Sequence, residues 1–135
     1  MNEIPEGYKP LFRSSPFLDL IGPIYNKKLG TDLIVGMRIE AKHCNKRGTV
    51  HGGMLSTLAD IALGYSTAFS QGEPVPLATA SLTIDFSGAA HIGDWVEIKT
   101  DVQKLGQSLA FANCYFDVND TRIARASAVF SVVRA

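Results

Sequence analysis

The chain has one long apolar segment with a helical period, at residues 53–70. At about 100° per residue, apolar residues occupy nearly the whole circumference of the predicted helix. One stripe holds Met54, Leu58, Ile61, Ala62, Tyr65 and Phe69, and further apolar positions are Leu55, Ala59 and Leu63. The remaining narrow sector holds Gly53, Ser56, Thr57, Asp60, Gly64 and Thr67. The pattern predicts a central, buried helix with another backbone or a ligand close to this sector.

Segments with an alternating pattern lie on both sides of the helix. Residues 24–42 predict two strands that turn near Gly30, and four more strands are predicted at about 77–87, 94–104, 108–118 and 122–133. In the first of these four, Leu82, Ile84 and Phe86 alternate with Thr79, Ser81, Thr83 and Asp85. The last has small residues on one face, which suit packing against a helix: Ala124, Ala126 and Ala128.

The order of elements predicts the fold class. Two strands, one helix and four strands in hairpin order indicate an α+β fold, with an antiparallel six-stranded sheet wrapped around one central helix. We expect a single domain over residues 1–135, because no linker or repeat divides the chain. Residues 1–16 contain three prolines and predict an extended arm, while residues 17–21 fit either a short helix or a strand start.

Composition and charge exclude several classes of function. Thirteen basic and thirteen acidic side chains cancel, which gives no electrostatic reason to bind nucleic acid or an anionic membrane. No stretch reaches the roughly 20 apolar residues of a membrane span, and the N-terminus does not have the pattern of a signal peptide. Two cysteines do not make a disulfide framework. We therefore expect a cytoplasmic protein with no membrane partner.

Asp60 is the strongest chemical signal in the sequence. A carboxylate in an apolar helix is costly unless it is paired or used in chemistry. Gly52 and Gly53 precede it where the helix begins, and free backbone N–H groups there attract negative charge. An acid or base near such a helix end is the combination that acyl transfer needs. The alternative from local sequence is a buried carboxylate bonded to Ser56, Thr57 or a backbone amide.

Residues 43–60 resemble the signature of hotdog-fold acyl-CoA thioesterases of the phenylacetate-pathway type. The resemblance is carried by Asn45 six residues before His51, by His51-Gly52-Gly53, and by Asp60 seven residues after the second glycine. The order of strands and helix extends it from about residue 20 to the end. It implies an acyl-CoA thioesterase that assembles as a homodimer or a dimer-of-dimers tetramer, with its active site at the dimer interface.

The resemblance also implies roles for individual residues. Asp60 of one subunit would be the general base or the nucleophile, and Asn45, His51, Gly52 and Gly53 would come from the other subunit. Thr79 falls where the family often has a Ser or Thr near the acid, although Ser81 stands where relatives often have an acidic residue. No cofactor is implied beyond the coenzyme A of the substrate, and no metal, because the histidines lack ligand spacing.

Other interpretations of these residues and of the function stay open. Asn45 also fits an ordinary turn residue, and His51 a capping or packing residue. His43 and His91 are expected at the surface or in loops, Cys44 is expected to be inert, and Cys114 is expected in the core.

The alternatives to a thioesterase are a non-catalytic acyl-CoA binding or sensing module and, on the same fold, an acyl-thioester dehydratase or hydratase. The role of residues 1–20 stays open, and the mouth of an acyl tunnel and the dimer edge are the two positions that we expect them to cover.

Overall fold

The structure, a computed structural model, describes residues 3–133. Within that range the regular elements follow the predicted order, with a two-residue strand and a short helix added before them. In chain order they are β1 (Lys9–Pro10), α1 (Pro16–Ile21), β2 (Tyr25–Leu29), β3 (Asp32–Arg38), α2 (Gly52–Ala68), β4 (Leu77–Phe86), β5 (Trp95–Leu105), β6 (Leu109–Val118) and β7 (Thr121–Val132). A 3-10 turn spans Ala41–His43.

All the strands join one antiparallel sheet in the order β1-β2-β3-β5-β6-β7-β4. Helix α2 packs across one face of it, as the sequence predicted. The sheet has seven strands rather than six, because Lys9 and Pro10 pair with Asn26 and Tyr25. Two residues are too few for an alternating pattern, so this strand could not be recognised from sequence. β4 is the long strand at the free edge of the sheet.

The face of α2 that packs on the sheet is rotated from the predicted stripe. Five apolar residues of α2 that are 0–2% exposed form what we call the sheet-facing stripe: Leu55, Leu58, Ala59, Ala62 and Leu63. Ile61, Tyr65 and Phe69, which belong to the apolar stripe identified in the sequence, are only half-buried. A helix that is apolar nearly all round does not reveal from its period which side faces the sheet. The predicted small-residue face of β7 is confirmed, because Ala124, Ala126 and Ala128 are 1–4% exposed.

A β-bulge in β4 changes the direction of its first side chains. Thr79 lies opposite Phe130 and Ser81 lies opposite Val129, so Ala80 is an extra residue without a partner. Phe130 is buried under α2, which puts Thr79 on the helix side of the sheet together with Leu82. Strict alternation predicted Thr79 on the opposite face, and that prediction is wrong. An inserted residue shifts the phase of a strand by one, which an alternating pattern does not reveal.

The N-terminal segment is tied to the rest of the domain. The Tyr8 hydroxyl donates to Glu97 Oε2 at 2.6 Å, and its ring meets the edge of Trp95 with centroids 4.9 Å apart. Burial, followed by the bond to Glu97, raises the pKa of Tyr8. Residues 17–21, left open from sequence, belong to α1, whose N-cap Ser15 accepts from the Leu18 N–H at 3.3 Å. Among residues 3–133 no helix has the length and apolar character needed to cross a membrane.

Candidate active site

A cavity of about 620 Å³ lies alongside α2, between the helix, the N-terminal segment and the edge of the sheet at β4. Residues spaced three and four apart on the helix form one side of it, and we call this row the cavity-facing stripe: Thr57, Asp60, Ile61, Gly64, Tyr65 and Ala68. The N-terminal segment contributes Arg13, Ser15, Phe17 and Leu18. The chain from the end of α2 into β4 contributes Phe69, Pro74, Val75, Pro76, Leu77 and Thr79, and Phe130 lies opposite. A concave, mostly apolar site of this size suits a small-molecule ligand.

Asp60 and Thr79 meet in this cavity. The Thr79 hydroxyl donates to Asp60 Oδ1 at 2.7 Å, and within residues 3–133 no other donor bonds that carboxylate. The contact depends on the bulge at Ala80, which turns Thr79 toward α2. Ser56 and Thr57 do not satisfy the acid, because their hydroxyls donate to the carbonyls of Gly52 and Gly53 at 2.9 and 3.0 Å. Asp60 is therefore oriented by one hydroxyl and keeps its second oxygen open to the cavity.

The start of α2 offers free backbone donors. Met54 and Leu55 donate to the His51 carbonyl at 3.0 and 3.2 Å, whereas the N–H groups of Gly52 and Gly53 find no acceptor in the described part of the chain. The exposed His51 is the N-cap residue, and its side chain makes no capping bond. A Cβ on Gly53 would meet nothing within 4 Å, whereas one on Gly52 would lie 3.2 Å from the Phe86 ring. A molecule outside the chain can thus approach Gly53 closely.

Asn45 shapes the loop that leads to this helix start. Its Oδ1 accepts from the backbone N–H groups of Arg47 at 2.9 Å and Thr49 at 3.2 Å. Gly48, in the same loop, has a φ of +77°, which favours glycine. Asn45 is therefore a turn residue, as the alternative interpretation held. Its side-chain NH₂ makes no hydrogen bond within residues 3–133 and remains able to donate.

The predicted site residues fall into two separate groups within one chain. Asp60 and Thr79 form the first, inside the cavity. Asn45, His51, Gly52 and Gly53 form the second, around the start of α2, and none of them lines that cavity. Gly53 precedes Asp60 by seven residues, which corresponds to about 10 Å along a helix. The two groups of one chain are too far apart to act on the same carbonyl.

The remaining histidines and cysteines take no part in either group. His43, expected at the surface or in a loop, lies in the 3-10 turn between β3 and α2 and is only 2% exposed, so it is not at the surface. Its Nδ1 accepts from the Glu40 N–H at 2.9 Å, which leaves Nε2–H to donate to the Ile21 carbonyl at 2.5 Å. These two backbone groups offset the cost of burying a polar ring. His91 is exposed, as predicted.

Burial suppresses the reactivity of both thiols. It raises the pKa of Cys114 to about 12, against a smaller opposing effect of the Ala126 backbone, and it also raises the pKa of Cys44. A thiol reacts as its thiolate, so both are poor nucleophiles. Cys114 is fully buried in the core, as predicted. Across residues 3–133, His, Cys, Asp and Glu side chains form no group of three or more that could hold a metal ion.

The sequence analysis left residues 1–20 at either the tunnel mouth or the dimer edge, and it did not identify which of them line the cavity. Arg13 and Phe17 are exposed residues in a proline-containing arm and carry no motif. The backbone N–H of Phe12 donates to Asn26 Oδ1 at 3.1 Å, which fixes this segment next to β2. Such a contact between distant parts of the chain leaves no local signal in the sequence.

Comparison with known proteins agrees with the fold. Residues 47–125, more than half of the chain, match the thioesterase superfamily. The chain belongs to that superfamily and has its hotdog fold. Membership supports thioester hydrolysis as the activity class.

Individual relatives are consistent with this family. The chain is 51% identical over 131 residues, covering 96% of it and 98% of the relative, to the Pseudomonas aeruginosa protein named "Putative esterase PA0474". It is 33% identical over 81 residues to acyl-coenzyme A thioesterase 13 of Mus musculus, covering 60% of this chain and 57% of that protein. The crystal structure of zebra fish thioesterase superfamily member 2 superposes with a TM-score of 0.80 at 28% identity, covering 88% of each chain.

Proposed function

We propose that this protein is an acyl-CoA thioesterase that hydrolyses an acyl-CoA thioester to the free acid and coenzyme A. The observation that carries the proposal is the Asp60 carboxylate, held by Thr79 at 2.7 Å inside a mostly apolar cavity. The name of the murine relative, acyl-coenzyme A thioesterase 13, supports coenzyme A as the carrier. The acyl group occupies the cavity alongside α2.

Asp60 serves this reaction by one of two routes. As a general base it takes a proton from water, the oxygen of that water attacks the thioester carbonyl carbon, and the C–S bond then breaks. As a nucleophile, its free oxygen attacks the carbon and expels coenzyme A, and water hydrolyses the resulting mixed anhydride. In both routes the coenzyme A thiolate takes up a proton and the carbonyl oxygen gathers negative charge. The second oxygen of Asp60 is free for either role.

The oxyanion requires donors that one chain does not supply near Asp60. The free N–H groups of Gly52 and Gly53 suit this role, and Gly53 leaves room for a thioester to approach. They lie about 10 Å along the helix from Asp60 of the same chain. We therefore assign these donors, together with Asn45 and His51, to a second copy of the protein in a homodimer.

The free edge of the sheet supports such a dimer. β4 is ten residues long, and no strand within residues 3–133 pairs with its outer side, which favours pairing with a strand of another molecule. Antiparallel pairing of two β4 strands about a two-fold axis places the start of one beside the end of the other. Thr79 lies near the start, and Phe86, which packs against Gly52, lies at the end. Asp60 of one copy then approaches Gly52 and Gly53 of the other.

The first test is thiol release from a panel of acyl-CoA thioesters by the wild type and Asp60→Asn. We expect turnover to fall by about 10²- to 10⁴-fold, because the amide neither accepts the proton nor attacks. Asp85→Asn is the matched control, since Asp85 lies on the exposed face of β4 and pairs with Arg125. A folded Asp60→Asn protein with unchanged turnover would refute this mechanism. Absence of turnover in the wild type, with tight binding of acyl-CoA, would favour the binding module.

The two-copy site is tested by mixing two inactive variants. Asp60→Asn and Gly53→Val damage different halves of the site, and a mixed dimer holds one site with both halves intact. Random mixing therefore restores roughly a quarter of wild-type activity, since half of the dimers are mixed and each has one intact site. No recovery in verified mixed dimers would place both halves in the same subunit.

A further inference from the structure

The end of the cavity remote from Asp60 carries a cation. Arg13 is the only Lys or Arg among the residues that line the cavity. Its guanidinium lies 5.2 Å from the centroid of the Phe69 ring, and Phe12 packs on the same ring with centroids 5.1 Å apart. Stacking of this kind limits the positions that a long, exposed side chain adopts.

A stretch of apolar surface separates this cation from the catalytic acid. Phe69 follows Asp60 by nine residues, which is about 13 Å along the helix axis. The surface of the cavity between them is mainly hydrocarbon, from Ile61, Ala68, Val75, Leu77 and Phe130. The cavity therefore has a carboxylate near one end, apolar sides, and a positive charge near the other end.

Arg13 has no anionic partner within residues 3–133. Arg122 and Arg125, by contrast, pair with Asp117 at 3.8 Å and Asp85 at 3.2 Å. The nearby Asp19 carboxylate accepts from the Ser14 hydroxyl and makes no ion pair with Arg13. The hydroxyl of Tyr65, which also lines the cavity, has no hydrogen-bond partner in the described part of the chain. The Arg13 guanidinium and the Tyr65 hydroxyl are therefore both available to donate to a ligand.

We propose that Arg13 binds a carboxylate at the far end of the acyl group, so that the preferred substrates are coenzyme A half-thioesters of dicarboxylic acids. The proposal rests on the thioesterase function proposed above. A guanidinium binds carboxylate through paired charge-assisted hydrogen bonds, and the Tyr65 hydroxyl adds a further donor. The apolar sides accept the methylene chain between the two carbonyl carbons.

The phosphates of coenzyme A offer the same anionic oxygens as a carboxylate. The acyl group is the better assignment because Arg13 and Asp60 line the same cavity, and the surface between them is mainly hydrocarbon. With the reacting carbon beside Asp60, an acyl chain that fills this cavity extends toward Arg13. A phosphate contact would affect all thioesters alike, which separates the two sources by experiment.

The experiment compares matched thioesters on the wild type, Arg13→Gln and Arg13→Lys. The dicarboxylic series is succinyl-, adipoyl-, suberoyl- and sebacoyl-CoA, and each is paired with the monocarboxylic acyl-CoA of the same length. We expect the wild type to prefer the dicarboxylic member at the length that spans the cavity. Arg13→Gln then loses about tenfold to a hundredfold in kcat/KM on that substrate, mainly through KM, and little on its partner. Arg13→Lys keeps part of the preference.

Arg125→Gln is the matched control, because it removes the same charge from an exposed position on the sheet. If the wild-type protein hydrolyses monocarboxylic thioesters at least as well as dicarboxylic ones, this inference is wrong, whereas the proposed thioesterase function stands. An equal rise in KM for every thioester in Arg13→Gln, with weaker inhibition by free coenzyme A, also overturns it and assigns Arg13 to the phosphates. Absence of hydrolysis on both series rejects the underlying function as well.

Discussion

The sheet-facing and cavity-facing stripes of α2 differ in burial and in composition. The sheet-facing stripe consists of Leu and Ala residues that are 0–2% exposed and belong to the hydrophobic core. The cavity-facing stripe has a carboxylate, a threonine and a glycine among its members, and it remains open along its length. One helix therefore packs in the core on one side and carries the proposed catalytic acid on the other. Substitutions on the first face should change stability, and substitutions on the second should change turnover.

The largest effect on stability is expected at Leu58, which is 0% exposed in the middle of the sheet-facing stripe. Leu58→Ala removes buried methyl groups and leaves a cavity, which costs about 2–5 kcal/mol in the free energy of unfolding. Chemical denaturation measures this cost. Ile61→Ala is the control on the other face, because Ile61 is half-buried against an open cavity, and a smaller loss is expected there. Equal losses at the two positions would remove the distinction between the faces.

At Thr79 we expect a smaller free-energy effect, and it should appear in kcat. Thr79→Val keeps the shape of the side chain and removes the hydroxyl that donates to Asp60. A hydrogen bond to a charged group is worth about 1.5–3 kcal/mol, so kcat should fall by about tenfold to a hundredfold. Thr79→Ser restores the donor and should restore most of the rate. Thr83→Val makes the same change on the exposed face of β4 and should leave kcat unchanged.

The smallest effect on stability is expected at Gly53, and it is a gain. Gly53→Ala should raise the free energy of unfolding by about 0.5–1 kcal/mol, because alanine suits a helix better and its Cβ meets nothing within 4 Å. Turnover should fall, because the methyl group stands where the thioester approaches. Gly52→Ala differs from Gly53→Ala because its Cβ would lie 3.2 Å from the Phe86 ring, which must move to make room. A Gly53→Ala protein that is more stable and fully active would show that the substrate does not contact this face.

The sequence predicted those parts of the protein whose signals are local. The helix, to within two residues at each end, and the four strands after it, to within one residue at each end, follow from the period of the pattern. Asp60 stood out because a carboxylate in an apolar helix is costly, and the structure places it in the cavity. Its role in catalysis remains a prediction.

The parts that the sequence did not predict depend on contacts between distant residues. His43 is buried because the Ile21 carbonyl, far away in the chain, accepts its ring N–H. Arg13 reaches the cavity because the N-terminal segment folds back along α2, which no periodic pattern records. The side of α2 that faces the sheet was also ambiguous, because apolar residues surround nearly the whole helix.

The unpaired Ala80 in β4 also affects how related sequences should be compared. Because one additional residue reverses the direction of every side chain before it, a relative one residue shorter in this strand could align well and still point its hydroxyl into solvent. Deleting Ala80 would change the catalytic neighbourhood without replacing any side chain in it. In this strand, the number of residues matters as much as their identity. A one-residue gap in an alignment should be interpreted as moving the side chains before it to the other face of the sheet.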